Sequence, residues 1–174
     1  VITDQIRASE FLRELAEREK SGEMANINIL TLTSDHTNGT SPSSPTPKAM
    51  VADNDLALGR MVEGISKSRF WKKSLILVVE DDAQDGLDHV NGHRTVALMI
   101  GPNVRRSAVD SNHYTQLSML RTIQELFRIP ARTSTLKTAR AMTSVFTPQA
   151  DAAPYAAIAN RIPLDQMNPP AKAL

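Results

Sequence analysis

An α/β layer fold is predicted for this chain, on three observations. Segments of helical and strand character alternate along it. Two strand segments, Leu75 to Val79 (LILVV) and Val96 to Ile100 (VALMI), are continuous apolar runs of the kind covered on both faces. A length of 174 residues, with 41% hydrophobic and 22% charged side chains, suits one domain with a packed core. The order helix, strand, helix, strand, strand, helix implies at least some parallel strands joined by crossover helices.

Each element has its own signal. Thr3 to Lys20 spaces Ile6, Phe11, Leu12 and Leu15 among acids and bases, which predicts a surface helix with a narrow apolar stripe ending near Gly22. Ile27 to Thr33 (INILTLT) is short, apolar and β-branched and reads as a strand. A Ser/Pro/Thr-rich loop follows as far as Pro47, where Thr46-Pro47 looks like an N-cap and a first-turn proline. Val51, Leu58, Val62 and Ile65 are spaced to share one face of the ensuing helix, which Gly59 and Gly64 weaken locally. Phe70-Trp71 anchors the connection from that helix to LILVV in the core. Leu117, Leu120, Ile123 and Phe127 mark the last helix, with Pro130 close behind. Beyond Pro130, proline, alanine and threonine dominate and large apolar residues thin out, so 131–174 reads as a Pro/Ala-rich C-terminal extension packed on the surface or partly disordered.

Composition narrows the function. A net charge of +1, spread along the chain, removes the electrostatic case for binding nucleic acid or an anionic membrane. No apolar run approaches the roughly 20 residues of a transmembrane segment. Cysteine is absent, which excludes disulfides and thiolate sites. Val1 leads directly into helix-like sequence, so no signal peptide is expected within these residues, which leaves the location of the parent protein open. Phosphate-binding glycine loops and the G-x-S-x-G nucleophile elbow are both missing.

The chemistry concentrates between Glu80 and His93 (EDDAQDGLDHVNGH). Glu80, Asp81, Asp82, Asp85 and Asp88 crowd behind an apolar strand, with His89 and His93 and with no Lys or Arg before Arg94. Carboxylates so close repel one another unless a cation neutralises them, and Asp and His are ordinary ligands of a divalent metal. The carboxyl ends of strands in open α/β sheets are also where ligands bind. An EF-hand register fails, because it places Ala83 and Gly92 at ligand positions. His89 and His93 have zinc-protease spacing, but Val90 stands where glutamate is required. Asp35-His36 follows the other apparent strand, so two strand ends carrying acids and histidine would converge on one metal site. His113 lies in a plainer polar segment and carries no functional assignment.

The segments NDLALG (Asn54 to Gly59), SRFW (Ser68 to Trp71), EDDAQDGLDHVNGHRT (Glu80 to Thr95) and YTQLSMLRTI (Tyr114 to Ile123) resemble the bacterial phosphoesterase family. That family includes acid phosphatases and phospholipase C-type enzymes and belongs to the alkaline-phosphatase-like superfamily. The resemblance runs from about Thr3 to about Pro130. It implies a mainly parallel sheet flanked by helices, incomplete here, and metal-dependent hydrolysis of a small phosphoester or phospholipid. It assigns Asp35, Asp81, Asp82 and His89 to an unidentified divalent metal, and His36 and His93 to catalysis, as proton donors to the leaving oxygen or hydrogen-bond partners of the phosphoryl group. It further implies a secreted or periplasmic parent, in some relatives with an N-terminal β-propeller. The family's Ser or Thr nucleophile lies upstream of the first helix, so residues 1–130 are expected to be the C-terminal half of a catalytic domain. The alternative expectation is a non-catalytic metal-binding or interaction fragment that lacks the nucleophile half.

Overall fold

The computed structural model describes residues 2–82 and 91–171. The chain divides into two compact units, Val1–Trp71 with Ala153–Leu174 and Lys72–Ala152.

Two helices build the first unit. Helix α1 (Asp4–Ser21) ends where Gly22 turns left-handed at φ 76° and its N–H closes back on the Arg18 carbonyl. Helix α2 (Pro47–Lys67) starts as its sequence predicts: Pro47 occupies the first turn and the Thr46 hydroxyl accepts from Ala49 N at 3.2 Å. Ala8, Ala57 and Met61 form the buried contact between the two helices, with Phe11 and Leu32 against it. Gly64 lies at the close approach of the two helices: a Cβ there would come within 2.3 Å of Leu12 Cδ2, so a larger residue requires the Leu12 side chain to move.

The buried side of α2 is displaced from the one the apolar spacing predicts. Met50, Asp53, Ala57 and Met61 point inward, together with Val62, whereas Val51 is 49% exposed. Trp71 behaves as expected and is only 3% exposed. Tyr155 meets it edge-on, with ring centroids 6.1 Å apart.

The predicted mainly parallel sheet flanked by helices is not formed. Among the described residues the sheet has two strands, β1 (Ile76–Val79) and β2 (Ala97–Ile100), and they run antiparallel in the register Ile76 to Ile100 and Val79 to Ala97. LILVV and VALMI do become strands, but half-buried or exposed ones. Ile27–Thr33, which a parallel crossover through α2 requires as a strand, forms no strand among the described residues, and Thr33 at its end sits at φ −122°, ψ −2°. Its β-branched residues favour extended backbone, yet a strand exists only when another edge completes its hydrogen bonds. Ile29 is consequently 89% exposed.

The second unit adds α3 (Gln116–Leu126), opened by a reciprocal Thr115–Ser118 capping box, and the short α4 (Ser134–Thr138). Here too the face is shifted, with Ser118, Met119 and Thr122 buried and Leu120 half exposed. The Pro/Ala-rich segment is shared between the units. In the second, Met142 N donates to Thr122 Oγ1 at 2.9 Å and Thr147 N to the Asn103 carbonyl at 2.8 Å. Residues 153–171 run back along α2 in the first.

Candidate functional site

The Asp35-His36 pair sits in a 3₁₀ turn, Ser34–His36, whose position is fixed from below by buried carboxylates. Asp4, in the first turn of α1, has no exposed surface. It accepts from Thr33 N at 3.0 Å and Ser34 N at 2.8 Å, and Arg7 Nε lies 3.4 Å away. Asp53, on the inward face of α2, accepts from Asp4 N and from the Ser34 hydroxyl, each at 2.7 Å. Asn54 Nδ2 then joins the interior to the turn, donating to Asp4 Oδ2 at 3.2 Å and to Asp35 Oδ1 at 3.3 Å. Together these bonds tie the turn to both helices of the unit.

Above this base His36 is exposed, and its Nδ1 lies 3.1 Å from the Thr37 carbonyl. A carbonyl only accepts, so in this contact Nδ1 is the donor and Nε2 is left to other partners. Thr37 holds that carbonyl in place from a backbone conformation at φ 59°, ψ 172°, a region suited to glycine and costly for a β-branched side chain by about 1–3 kcal/mol.

The second candidate stretch begins where β1 ends. Glu80 N still bonds to the Val96 carbonyl at 3.2 Å, and the Glu80 carboxylate accepts from the Thr95 hydroxyl. Asp81 and Asp82 are exposed, with the Asp81 carbonyl accepting from Gln116 Nε2 at 2.9 Å. His93 is exposed, and its backbone N–H donates to Asn91 Oδ1 at 3.0 Å. His89, Asp85 and Asp88 lie outside the described residues. Asp35 and His36 thus belong to the first unit, and Asp81, Asp82 and His93 to the second.

The oxygen and imidazole donors in these loops are of the types a divalent ion takes. Among the described residues, however, no three His, Asp or Glu side chains gather into a group able to hold one. The described residues alone do not make the expected metal centre.

The spacing of α2 contained an unused signal for part of this site. Asp53 falls in step with Met50, Ala57 and Met61, so an acid on an apolar face marks a buried polar partner. Asp4 had no such signal, since an acid in the first helical turn is an ordinary helix-start residue. No protein-family model, curated protein or solved structure matches this chain.

Proposed function

We propose that this chain carries part of the site of a phosphoester hydrolase, acting on a phosphomonoester or a phospholipid headgroup, in a secreted or periplasmic bacterial protein. The supporting observation is the Asp35-His36 turn: an exposed imidazole whose Nδ1 faces the carbonyl of a strained neighbour, beside a carboxylate tied to buried anchors. A neutral His36 offers Nε2 to accept a proton or hydrogen bond from water. As an imidazolium it donates from Nε2 to the leaving oxygen or the phosphoryl group. Asp35 orients water or a cation next to it. Asp81, Asp82, His89 and His93 complete the proposal through the resemblance of the Glu80 to Thr95 segment.

The test is hydrolysis of p-nitrophenyl phosphate and phosphatidylcholine across a panel of divalent metals, beside calorimetric titration of each metal. Turnover should require a metal, and His36→Ala should lower it about 100-fold. The Asp81→Asn/Asp82→Asn double variant should lose both metal binding and rate. Full turnover in either variant defeats the assignment. Metal binding without turnover under any condition points to the non-catalytic module instead.

A further inference from the structure

The Asp35-His36 turn is held at its far side as well, by a segment of the chain more than a hundred residues away. Tyr155 N donates to Ser66 Oγ at 2.9 Å and Ala157 N to Glu63 Oε2 at 3.2 Å, so the tail begins its return near the end of α2. It finishes near the start of that helix, where Thr46 N donates to the Gln166 carbonyl at 2.7 Å and Met167 bridges Pro45. Asn168 comes next and is 7% exposed. Its N–H donates to the Ser44 carbonyl at 3.0 Å. Its side-chain Nδ2 faces the carbonyls of Gly39, Ser41 and Pro45 at 3.0, 2.9 and 3.2 Å. One amide group therefore gathers three carbonyls of the loop that leaves His36.

We propose that Asn168 is a positioning residue for the Asp35-His36 turn: it locks the loop after His36 from the tail side while Asp4 locks the residues before it from the α1 side. Thr37 lies between the two locks. A conformation unfavourable for threonine persists only when its surroundings over-determine it, and these two anchors do so. The Thr37 carbonyl in turn sets the His36 tautomer. Asn168 touches neither His36 nor Asp35, so its influence passes through the loop backbone.

The experiment uses the full chain, in the wild type, Asn168→Ala and Asn168→Ser. Amide hydrogen exchange at Ser44 and Thr46 is compared with exchange at Ala57 and Met61 within α2, and the imidazole tautomer of His36 is read from its ring ¹⁵N shifts. In Asn168→Ala the loop amides should exchange about tenfold faster, the loss expected of one net hydrogen bond, with the α2 amides unchanged. The His36 shifts should move toward the tautomer mixture of a free imidazole. Asn168→Ser, which keeps a shorter donor, should fall between, and it decides the matter if the alanine variant does not fold. Wild-type loop exchange in a folded variant overturns the proposal, as does a loosened loop with unmoved His36 shifts. A further consequence rests on the phosphoester reading: kcat should fall about tenfold in Asn168→Ala with KM little changed. Absence of turnover in the wild type would defeat that reading alone, and the exchange and tautomer results would still decide the role of Asn168.

Discussion

Asp4 occupies the one fully buried acidic position among the described residues, and its carboxylate serves Thr33 N, Ser34 N, Asn54 Nδ2 and Arg7 together. Asp4→Ala leaves backbone donors without an acceptor in the interior and should destabilise the first unit by about 3 kcal/mol. Asp4→Asn, which keeps one acceptor oxygen but turns a donor toward another donor, should fall between. Urea unfolding followed by the fluorescence of Trp71, the single tryptophan, reads this unit directly. A midpoint for Asp4→Ala equal to wild type would remove Asp4 as the anchor. In the second unit Asp110 behaves differently, because it is reached by solvent. The Ser144 hydroxyl first, and then the Asn112 backbone N–H, hold its carboxyl down from 3.8 to about 2. A carboxyl held down in the folded chain adds stability above its ordinary value, and that stability is lost as pH falls from about 3.8 through about 2. Ser144→Ala should raise the Asp110 midpoint toward 3.8, as followed by its carboxyl ¹³C shift during an acid titration. An unmoved midpoint would assign the depression to Asn112 instead.

At the scale of elements, helix ends were legible and pairings were not. Helix α2 begins at the Thr46 cap because one hydroxyl satisfies one orphan N–H, a purely local bond that the dipeptide Thr46-Pro47 announces. Thr46→Ala should therefore cost about 1 kcal/mol, measured as a shift in the urea midpoint of the Trp71 signal, with Thr46→Ser close to wild type. If the alanine variant matched wild type, the proline and the Thr46 N to Gln166 bond would be setting the boundary without the hydroxyl. Gly22 ends α1 by the same local logic. Ile27–Thr33 shows the opposite case. Its composition favours an extended backbone, but whether such a run becomes a strand depends on an edge that the run itself does not encode. Nor does an apolar run such as Leu75 to Val79 state its neighbour's direction. The inner face of α2 differs for a related reason: apart from Val62, the predicted stripe of Val51, Leu58 and Ile65 is more apolar than Met50, Asp53 and Ala57, yet the latter face is the one that packs.

Over the whole molecule, the same contrast governs the candidate site. Asp35 and His36 stood out in the sequence because their chemistry is local to a dipeptide, whereas Asp4, Asn54 and Asn168 act through single side chains brought together from distant positions. No periodicity predicts such contacts. Among the described residues no helix is long and apolar enough to cross a membrane, in keeping with the sequence. The returning tail is the least legible part, since its small and proline residues carry no stripe, and its contacts with the first unit include those of Tyr155. That ring packs edge-on against Trp71 while its backbone N–H bonds to Ser66, so the side chain and main chain fix the start of the tail at one place. Tyr155→Ala removes the ring contact and keeps the main-chain bond. It should destabilise the first unit by about 2 kcal/mol, from lost apolar burial plus the aromatic pair. Trp71 emission should shift red as water reaches the indole, and amides of Ala157 and Asn168 should exchange faster while those of β1 and β2 keep their wild-type rates. Faster exchange confined to Ala157, with Asn168 unchanged, would show that the Asn168 contacts hold the far end of the tail independently. Uniformly unchanged exchange and emission would mean that Tyr155 does not secure the tail.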